Sequence, residues 1–397
     1  MERKWIKFYK IWVIHSIFYS FSTTISITYY QPYAIKTLGF NANRLGNITL
    51  LNLLMVSLGN VLGSYIVNKF RAGRVTVWKI FTSANLLFWA LAGFSDVING
   101  NLIYLFVSLA QLAGAVGGLA YVDTIGDMIP MQEAVKIFGR VNFYTLASSV
   151  LALAISLAIF NFSDIRYAYR MVYITALITA IVSATVLCLM KDLNKRENKN
   201  LSIFVLFKEF EELLNSDAIK GYIVFMSIFT FFVNLPNALW NFYIIKVFKG
   251  NENWISLNTI SSTLANALGN YVLGKISHRI SRKRIMMFSI IPISLVPALF
   301  LMSSTMEKQI ALNVFSGFSW SAFNLITGIY NIYLGKEHRI FMVSLLGILT
   351  NIFAGIASKI GASVASISFV MMNTVFVLSF LGRLVTYFYA RKNIVEL

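Results

Sequence analysis

The sequence predicts an all-α membrane protein with twelve transmembrane helices, arranged as two six-helix bundles related by pseudo-two-fold symmetry. Three observations support this fold class. Hydrophobic residues make up 57% of the 397 residues and charged residues only 13%, whereas charged residues are about 25% of an ordinary soluble domain. The apolar residues form twelve runs long enough to cross a bilayer. One short basic pattern occurs once in each half of the chain.

Each transmembrane helix needs about 20 mostly apolar residues to cross the hydrocarbon core of a bilayer. Six such runs occur in each half of the chain. We number these predicted spans 1 to 12 in chain order: 9–34, 45–67, 75–95, 101–125, 141–160, 169–190, 219–247, 255–277, 285–304, 309–333, 340–361 and 365–390. The basic segment before span 1 leads into a run that is too long for a secretory signal peptide and has no small-residue cleavage site.

The spans divide the chain into an N-terminal six-helix bundle, 1–190, and a C-terminal one, 219–397. Residues 191–218 form a predicted cytoplasmic linker. Within it, apolar residues from Ile203 to Leu214 recur at helical spacing, opposite charged residues such as Lys208 and Glu212. This pattern predicts a short amphipathic helix on the cytoplasmic surface of the bilayer. Its simplest role is to tether the two bundles.

Lysine and arginine placement predicts the orientation, since these residues concentrate in cytoplasmic loops. Most of the 34 lysines and arginines fall on one side of the predicted spans, and Arg383 in span 12 is assigned to that side. We therefore expect a multi-pass plasma-membrane protein with both termini in the cytoplasm. The net charge of +18 then reflects topology and attraction to anionic lipids on the cytoplasmic side. Nucleic acid is not expected as a partner.

The basic pattern lies at 59–74 and again at 269–284, an offset of 210 residues. Such a repeat indicates an internal duplication. The second copy includes, in order, Gly274, Ile276, Arg279, Arg282 and Lys283. This order resembles the Gly-x-Leu-Ala-Asp-Arg-x-Gly-Arg-Lys loop of the major facilitator superfamily, which follows helix 2 and recurs after helix 8. The chain departs from this pattern at two positions. The acid is replaced by Asn68 in the first copy and by His278 in the second, and Ser281 replaces the second glycine.

The resemblance implies that these loops belong to a cytoplasmic gate. At the junction of helices 4 and 5 of the superfamily, an acid ties to the basic 2–3 loop. Asp127 falls at that junction, Asp123 lies one turn before it, and either Arg71 or Arg74 is a suitable partner. The candidate gating residues are Asn68, Lys69, Arg71, Arg74, Asp123, Asp127, Arg140, His278, Arg279, Arg282 and Lys283.

Polar residues at helical spacing mark one face of spans 1, 7 and 10, and more weakly of span 4. A polar group in hydrocarbon is costly unless it meets a partner or water, so such stripes indicate a solute pathway. The resemblance to the superfamily implies that these four helices line a central cavity. The candidate cavity residues are Tyr19, Ser26, Tyr30, Gln111, Asn234, Asn237, Asn241, Trp320, Asn324 and Thr327.

Interhelical hydrogen bonding is the alternative explanation of these stripes, and it suits a single serine or threonine best. Several amides on one face favour water or a ligand, because each amide has four hydrogen-bonding positions to satisfy. Pro236 either bends span 7 as a gate or forms a static kink. His15, inside span 1, is either a proton site or a histidine that hydrogen-bonds for structure.

These features together predict a permease: a secondary active or facilitative transporter that moves a small solute by alternating access, as a monomer. The low charge of the cavity favours a neutral or weakly polar organic solute. No cofactor or metal is expected. The one cysteine, Cys188, has no partner in the chain for a disulfide or a cysteine metal site. The sequence contains no hydrolase motif and no phosphate-binding motif, so an enzyme is not expected. Two alternatives stay open: a transport-inactive sensor or scaffold, which the replaced loop acids favour, and a lipid-moving permease.

Cysteine labelling tests the predicted topology. In a Cys188→Ser background, single cysteines at Asn68 and Ser281 should resist membrane-impermeant thiol reagents added outside, because both positions lie in cytoplasmic loops. A cysteine at Asn99, between spans 3 and 4, should react and serves as the positive control. Labelling of positions 68 and 281 from opposite sides of the membrane would contradict the arrangement of six spans plus six.

Overall fold

The computed structural model describes residues 2–128, 131–192, 197, 203–276, 280–334 and 338–396. In these ranges the protein is helical and contains no strand. The α-helices, in chain order, are α1 (Glu2–Lys36), α2 (Ala42–Lys69), α3 (Arg74–Ala92), α4 (Ser95–Ile98), α5 (Leu102–Met128), α6 (Met131–Phe162), α7 (Ile165–Cys188), α8 (Ile203–Leu214), α9 (Asp217–Asn234), α10 (Trp240–Lys246), α11 (Glu252–Ile276), α12 (Arg282–Met302), α13 (Met306–Tyr333), α14 (Arg339–Ala365) and α15 (Phe369–Asn393).

Ten helices in the described ranges are long and apolar enough to cross a membrane, judged by length and composition. They correspond to predicted spans 1–7, 9, 11 and 12. The helices at predicted spans 8 and 10 are α11, with 25 residues, and α13, with 28. Both are long enough to cross a bilayer, but their many asparagines, serines and threonines lower their hydropathy. The membrane crossing of these two helices stays a prediction.

The chain forms two compact units. The first comprises Met1–Leu38 and Met55–Leu206, and the second comprises Gly39–Leu54 and Phe207–Leu397. Helix α2 is therefore divided, because its first half groups with the second unit and its second half with the first. The sequence pattern, which marks only apolar runs, placed all of this helix in the N-terminal bundle.

Small residues bring α3 and α5 of the first unit into close contact. A Cβ atom on Gly114 would lie 2.6 Å from the Asn85 Nδ2, and one on Gly117 would lie 2.7 Å from the Thr82 Oγ1. The Asn85 Nδ2 also donates to the carbonyl of Ala110 at 2.7 Å. In a membrane, such small residues allow helices to approach closely and to hydrogen-bond across the contact.

A second polar contact joins three helices of the first unit. The Tyr33 hydroxyl of α1 donates to one Asp96 carboxylate oxygen at 2.6 Å, and the Arg170 Nη2 of α7 lies 2.8 Å from the other. The Tyr33 hydroxyl also accepts from the backbone N–H of Asp96 at 3.0 Å. The carboxylate on α4 is thus held by one ionic and one neutral donor, and it ties α1 to α7.

Within the second unit, α11 and α13 are packed through glycines. A Cβ atom on Gly317 would lie 2.1 Å from the carbonyl oxygen of Ser262. The first half of α2 packs on α14 in a similar way, since a Cβ on Gly46 would lie 2.4 Å from the Cβ of Ala362. At the same contact the Lys359 Nζ donates to the Asn43 Oδ1.

The amphipathic segment of the linker is the helix α8. Its apolar residues Phe210 and Leu213 are buried, whereas Lys208 and Glu212 are exposed and pair at 3.9 Å. Glu209 on the same helix accepts from the His338 Nδ1 at 2.7 Å. A helix therefore lies at the predicted position, with Phe210 and Leu213 of its apolar residues buried and Phe207 and Leu214 exposed. Its position on the bilayer surface stays a prediction.

Two substitutions on α13 test the glycine contact between α11 and α13. Gly317→Ala should lower the free energy of unfolding of the detergent-solubilised protein by about 1–3 kcal/mol, and with it the unfolding temperature. The added methyl group meets a backbone carbonyl that cannot move aside. Gly328→Ala on the same helix is the matched control, since nothing lies within 4 Å of its Cβ position. Equal unfolding temperatures for the two variants would contradict this account of the packing.

Candidate substrate pocket

A cavity of about 320 Å³ lies within the second unit. Helices α9 to α13 and α15 supply its described walls. Two tryptophans and a set of polar side chains line it: Trp240, Trp320, Asn234, Asn237, Asn241, Asn258, Thr259, Ser262, Asn313, Ser316 and Arg383. None of the described lining residues is an aspartate or glutamate. The volume lies at the lower end of the range of about 300–1,000 Å³ that is usual for small-molecule sites.

A break in the helical backbone forms one wall of the pocket. Helix α9 ends at Asn234, turns occupy residues 235–239, and α10 begins at Trp240. Pro236 lies in the turns, where its missing N–H leaves the carbonyl of Phe232 without its helical donor. The Asn237 N–H donates to the carbonyl of Asn234 at 3.0 Å. The carbonyl of Val233 therefore also lacks its helical donor.

Helix α15 supplies replacement donors to these carbonyls. The Ser379 hydroxyl donates to the Phe232 carbonyl at 2.6 Å, and the Arg383 Nη2 donates to the Val233 carbonyl at 3.2 Å. The Arg383 Nη1 donates to the carbonyl of Ile293 in α12 at 2.9 Å. That carbonyl is four residues before Pro297, which cannot donate to it. One turn of α15 thus satisfies three carbonyls that two broken or distorted helices leave open.

Arg383 is buried inside the second unit, with only 2% of its surface exposed. Lysine and arginine placement assigned this residue to the cytoplasmic side, whereas the structure buries it between helices, where it donates to the carbonyls of Val233 and Ile293. Counting lysines and arginines by loop cannot detect a charge whose hydrogen-bond acceptors are backbone carbonyls on other helices. The signal that was available is the depth of Arg383, which lies well inside the predicted span 365–390.

Amide groups and aromatic rings complete the pocket. The Asn234 Nδ2 donates to the carbonyl of Thr230 at 2.9 Å, and the Asn237 Nδ2 donates to the Asn234 Oδ1 at 2.9 Å. The Trp240 ring is held edge-on between Phe300 and Phe376, at centroid distances of 4.7 and 4.9 Å. The indole is therefore fixed in place, and the amides present hydrogen-bonding groups beside it.

An ion-pair cluster occupies the first unit. Arg74 has no exposed side-chain surface, and its guanidinium lies 3.0 Å from the Asp123 Oδ2 and 3.1 Å from the Asp192 Oδ2. Arg71 lies 3.5 Å from the Asp123 Oδ1. Asp123 is thus the common partner of the two arginines that the sequence offered. The sequence analysis missed Asp192, because that residue lies in the polar linker and its contact with α3 spans more than a hundred residues of sequence.

Comparisons with known proteins give structural similarity only. No protein-family model matches the sequence, and no curated protein matches it. The structure of a variant of the nucleoside transporter NupG superposes with a TM-score of 0.74 at 14% identity, covering 98% of this chain and 99% of that chain. The xylose transporter XylE from E. coli gives a TM-score of 0.72 at 12% identity, over 99% and 98% of the two chains.

A third match is a POT family transporter in complex with 5-aminolevulinic acid, with a TM-score of 0.74 at 10% identity over 97% and 96% of the two chains. XylE is described as a proton:xylose symporter of the major facilitator superfamily. This chain has the major facilitator fold. The resemblance of the basic loops is therefore confirmed at the level of the fold, and the subfamily is not identified.

On this major facilitator fold, the predicted cavity residues of the C-terminal half are only partly brought together. Asn234, Asn237, Asn241 and Trp320 line the pocket of the second unit. Asn324 and Thr327 are not among its described lining residues. The Thr327 hydroxyl is buried and donates to the carbonyl of Phe323 at 2.9 Å, as a threonine within a helix often does.

The predicted cavity residues of the N-terminal half belong to the first unit and are not among the described lining residues of the pocket. The Tyr19 hydroxyl donates to the Asn85 Oδ1 at 3.4 Å, Ser26 is buried, and Tyr30 packs edge-on against Trp89. Gln111 is half-buried on α5. Their role in solute binding stays a prediction.

His15, the candidate proton site, is buried in the first unit. Its Nδ1 lies 2.8 Å from the Ser183 hydroxyl and 3.2 Å from the Ser183 carbonyl oxygen. The ring also packs against Tyr19 and Trp78. These contacts account for a structural histidine without requiring proton transfer.

The remaining gating candidates divide into described and undescribed residues. The Asn68 Nδ2 donates to the Ser64 carbonyl of its own helix, and the Lys69 Nζ donates to the Tyr65 hydroxyl. Arg140 and Arg282 are exposed, and the Lys283 N–H donates to the Glu396 Oε1 at 3.4 Å. His278, Arg279 and the side chain of Asp127 lie outside the described part of the chain.

The buried ion pair can be compared with an exposed one. Asp123→Asn should lower the free energy of unfolding by about 3 kcal/mol, the lower end for breaking a buried pair, because Arg74 keeps Asp192 as a partner. Glu212→Gln, in the exposed pair with Lys208, is the control and should change stability little. Thermal unfolding in detergent measures both. A loss for Asp123→Asn no larger than for the control would contradict the assignment of a buried ion pair.

Proposed function

We propose that the protein is a secondary active or facilitative transporter that moves a small polar organic solute across the membrane by alternating access. The observation that carries the proposal is the pocket of the second unit, where amides, a fixed indole and a broken helix surround one cavity. The similarity of the fold to solved structures of transporters supports the proposal.

The chemistry of the pocket suits hydrogen bonding to an organic solute. Each asparagine amide offers both donors and acceptors. Asn237 precedes Trp240 in the chain, Asn241 follows it, and all three line the pocket. A flat apolar surface beside a few polar groups is the usual composition of a small-molecule site. The pocket can therefore bind hydroxyl, carbonyl or amide groups while an apolar part of the solute contacts a ring.

The similar structures support the same class of solute. They are a nucleoside transporter, a xylose transporter and a transporter in complex with 5-aminolevulinic acid. All three solutes are small and polar. Sequence identities of 10–14% carry no residue roles across, so the pocket itself carries the proposal for this chain.

The setting of the transporter is proposed from the sequence and the helices together. Ten apolar helices in the described ranges support a multi-pass membrane protein. A plasma-membrane location, cytoplasmic termini, contacts with anionic lipids on the cytoplasmic side and a monomeric state complete the proposal. The transport-inactive sensor or scaffold is its rival, and uptake by reconstituted vesicles of sugars, nucleosides, amino acids and organic acids, with and without a pH gradient, separates the two.

Substitution of one pocket amide tests the role of the pocket. Asn237→Leu should reduce uptake by reconstituted vesicles at least tenfold, because a solute contact is lost, while expression stays close to that of the wild type. Asn373→Leu is the matched control, since Asn373 is a half-buried amide on α15 that does not line the pocket. Normal uptake by Asn237→Leu would show that this amide only packs the helices.

A further inference from the structure

Arg383 places a positive charge in the pocket without an opposite charge. Its side chain is 2% exposed, and it lines the cavity together with neutral side chains only, among the residues that the structure describes. An arginine stays charged in proteins, and burying a charge is costly unless a charged partner compensates for it. Carbonyl dipoles of Val233 and Ile293 supply part of that compensation.

The open carbonyls do not by themselves require a charged donor. The Phe232 carbonyl accepts from the neutral hydroxyl of Ser379, which lies one turn before Arg383 on α15. A neutral side chain with an amide could donate to the other two. The guanidinium therefore brings a charge that the repair of the helix break does not need.

Part of the guanidinium remains without a partner. The Arg383 Nε, although buried, has no hydrogen-bond acceptor in the described structure. The Asn258 side chain lines the same cavity, is 5% exposed, and has no partner for either its Nδ2 or its Oδ1 among the described residues. Buried polar groups are nearly always paired. These two incompletely paired groups lie in the wall of one cavity, where they are candidate hydrogen-bonding partners for a ligand.

We propose that the pocket binds a solute that carries a carboxylate, with the carboxylate facing Arg383 and the Asn258 amide. This inference rests on the proposed transport function and names the class of its solute: a small organic acid with further polar groups for Asn237 and Asn241. A carboxylate is a good acceptor for a guanidinium, since charge-assisted hydrogen bonds are the stronger ones. One cation matches one negative charge, and the described lining offers no second cation for a phosphate dianion.

The inference departs from the neutral solute that the sequence predicted. That expectation relied on a cavity poor in charge, with Arg383 assigned to the cytoplasmic side. With Arg383 in the wall of the pocket, the same reasoning from charge favours an anionic solute.

Matched acids and amides test the inference by binding. Acetate and acetamide, lactate and lactamide, and nicotinate and nicotinamide are added to the purified full-length protein at constant ionic strength. A ligand that binds the folded state raises the unfolding temperature as its concentration rises. For at least one pair we expect the acid to bind at least tenfold more tightly than its amide.

Two variants locate the effect. Arg383→Gln removes the charge and keeps donor groups, and Asn258→Asp places a carboxylate in the pocket while all three carbonyl contacts of α15 stay intact. Both should abolish the preference for the acid, and Asn258→Asp keeps the test decisive if Arg383→Gln fails to fold. Asn373→Leu is the control, because Asn373 lies on the same helix and is not among the described lining residues; it should keep the preference.

Binding of no acid, equal binding of acid and amide, or a preference that survives Asn258→Asp would each overturn the inference. Uptake by vesicles is measured separately on the same pairs. Selective binding of an acid without uptake of any tested solute would support the anionic site and contradict the transport function. Uptake of neutral solutes with no preference for acids would support the transport function and contradict the anionic site.

Discussion

The second unit depends on one contact, the hydrogen bonding of α15 to the carbonyls of two other helices. Arg383 and Ser379 donate to the carbonyls of Val233, Phe232 and Ile293, which lose their helical donors at the break around Pro236 and at Pro297 inside the continuous helix α12. In hydrocarbon an open carbonyl has no water to replace the lost bond. The break between α9 and α10 is therefore tolerated only because α15 supplies donors at this height, and the pocket exists because of the break.

The same constraint explains why the pocket-forming helices are unusually polar. Helices α11 and α13 are the two predicted spans that fall short of the hydropathy of a membrane helix, and both contribute polar side chains to the cavity. Polar residues inside a membrane are expensive and concentrate where they serve a pathway. A helix selected only for stability in lipid would carry leucine at these positions, so their polarity supports the proposed binding site.

Much of the fold could be predicted from the sequence, because apolar runs, basic loops and a repeat are local patterns. The asparagines of span 7 are spaced along one face, and Asn234, Asn237 and Asn241 do line the pocket. Arg383 could not be placed by the same means, since its acceptors lie 90 to 150 residues away in sequence. Asn258 was missed although Asn258, Ser262, Asn266 and Asn270 recur at helical spacing along span 8. Asp192 was missed because its partner Arg74 is distant in sequence.

We propose that the transported solute binds in this pocket. A structure of the full-length protein determined with a transported solute tests that claim most directly. We predict solute density in the cavity of the second unit, within hydrogen-bonding distance of Asn237 and of the Arg383 guanidinium. Solute density at another site, with this cavity empty, would contradict the account.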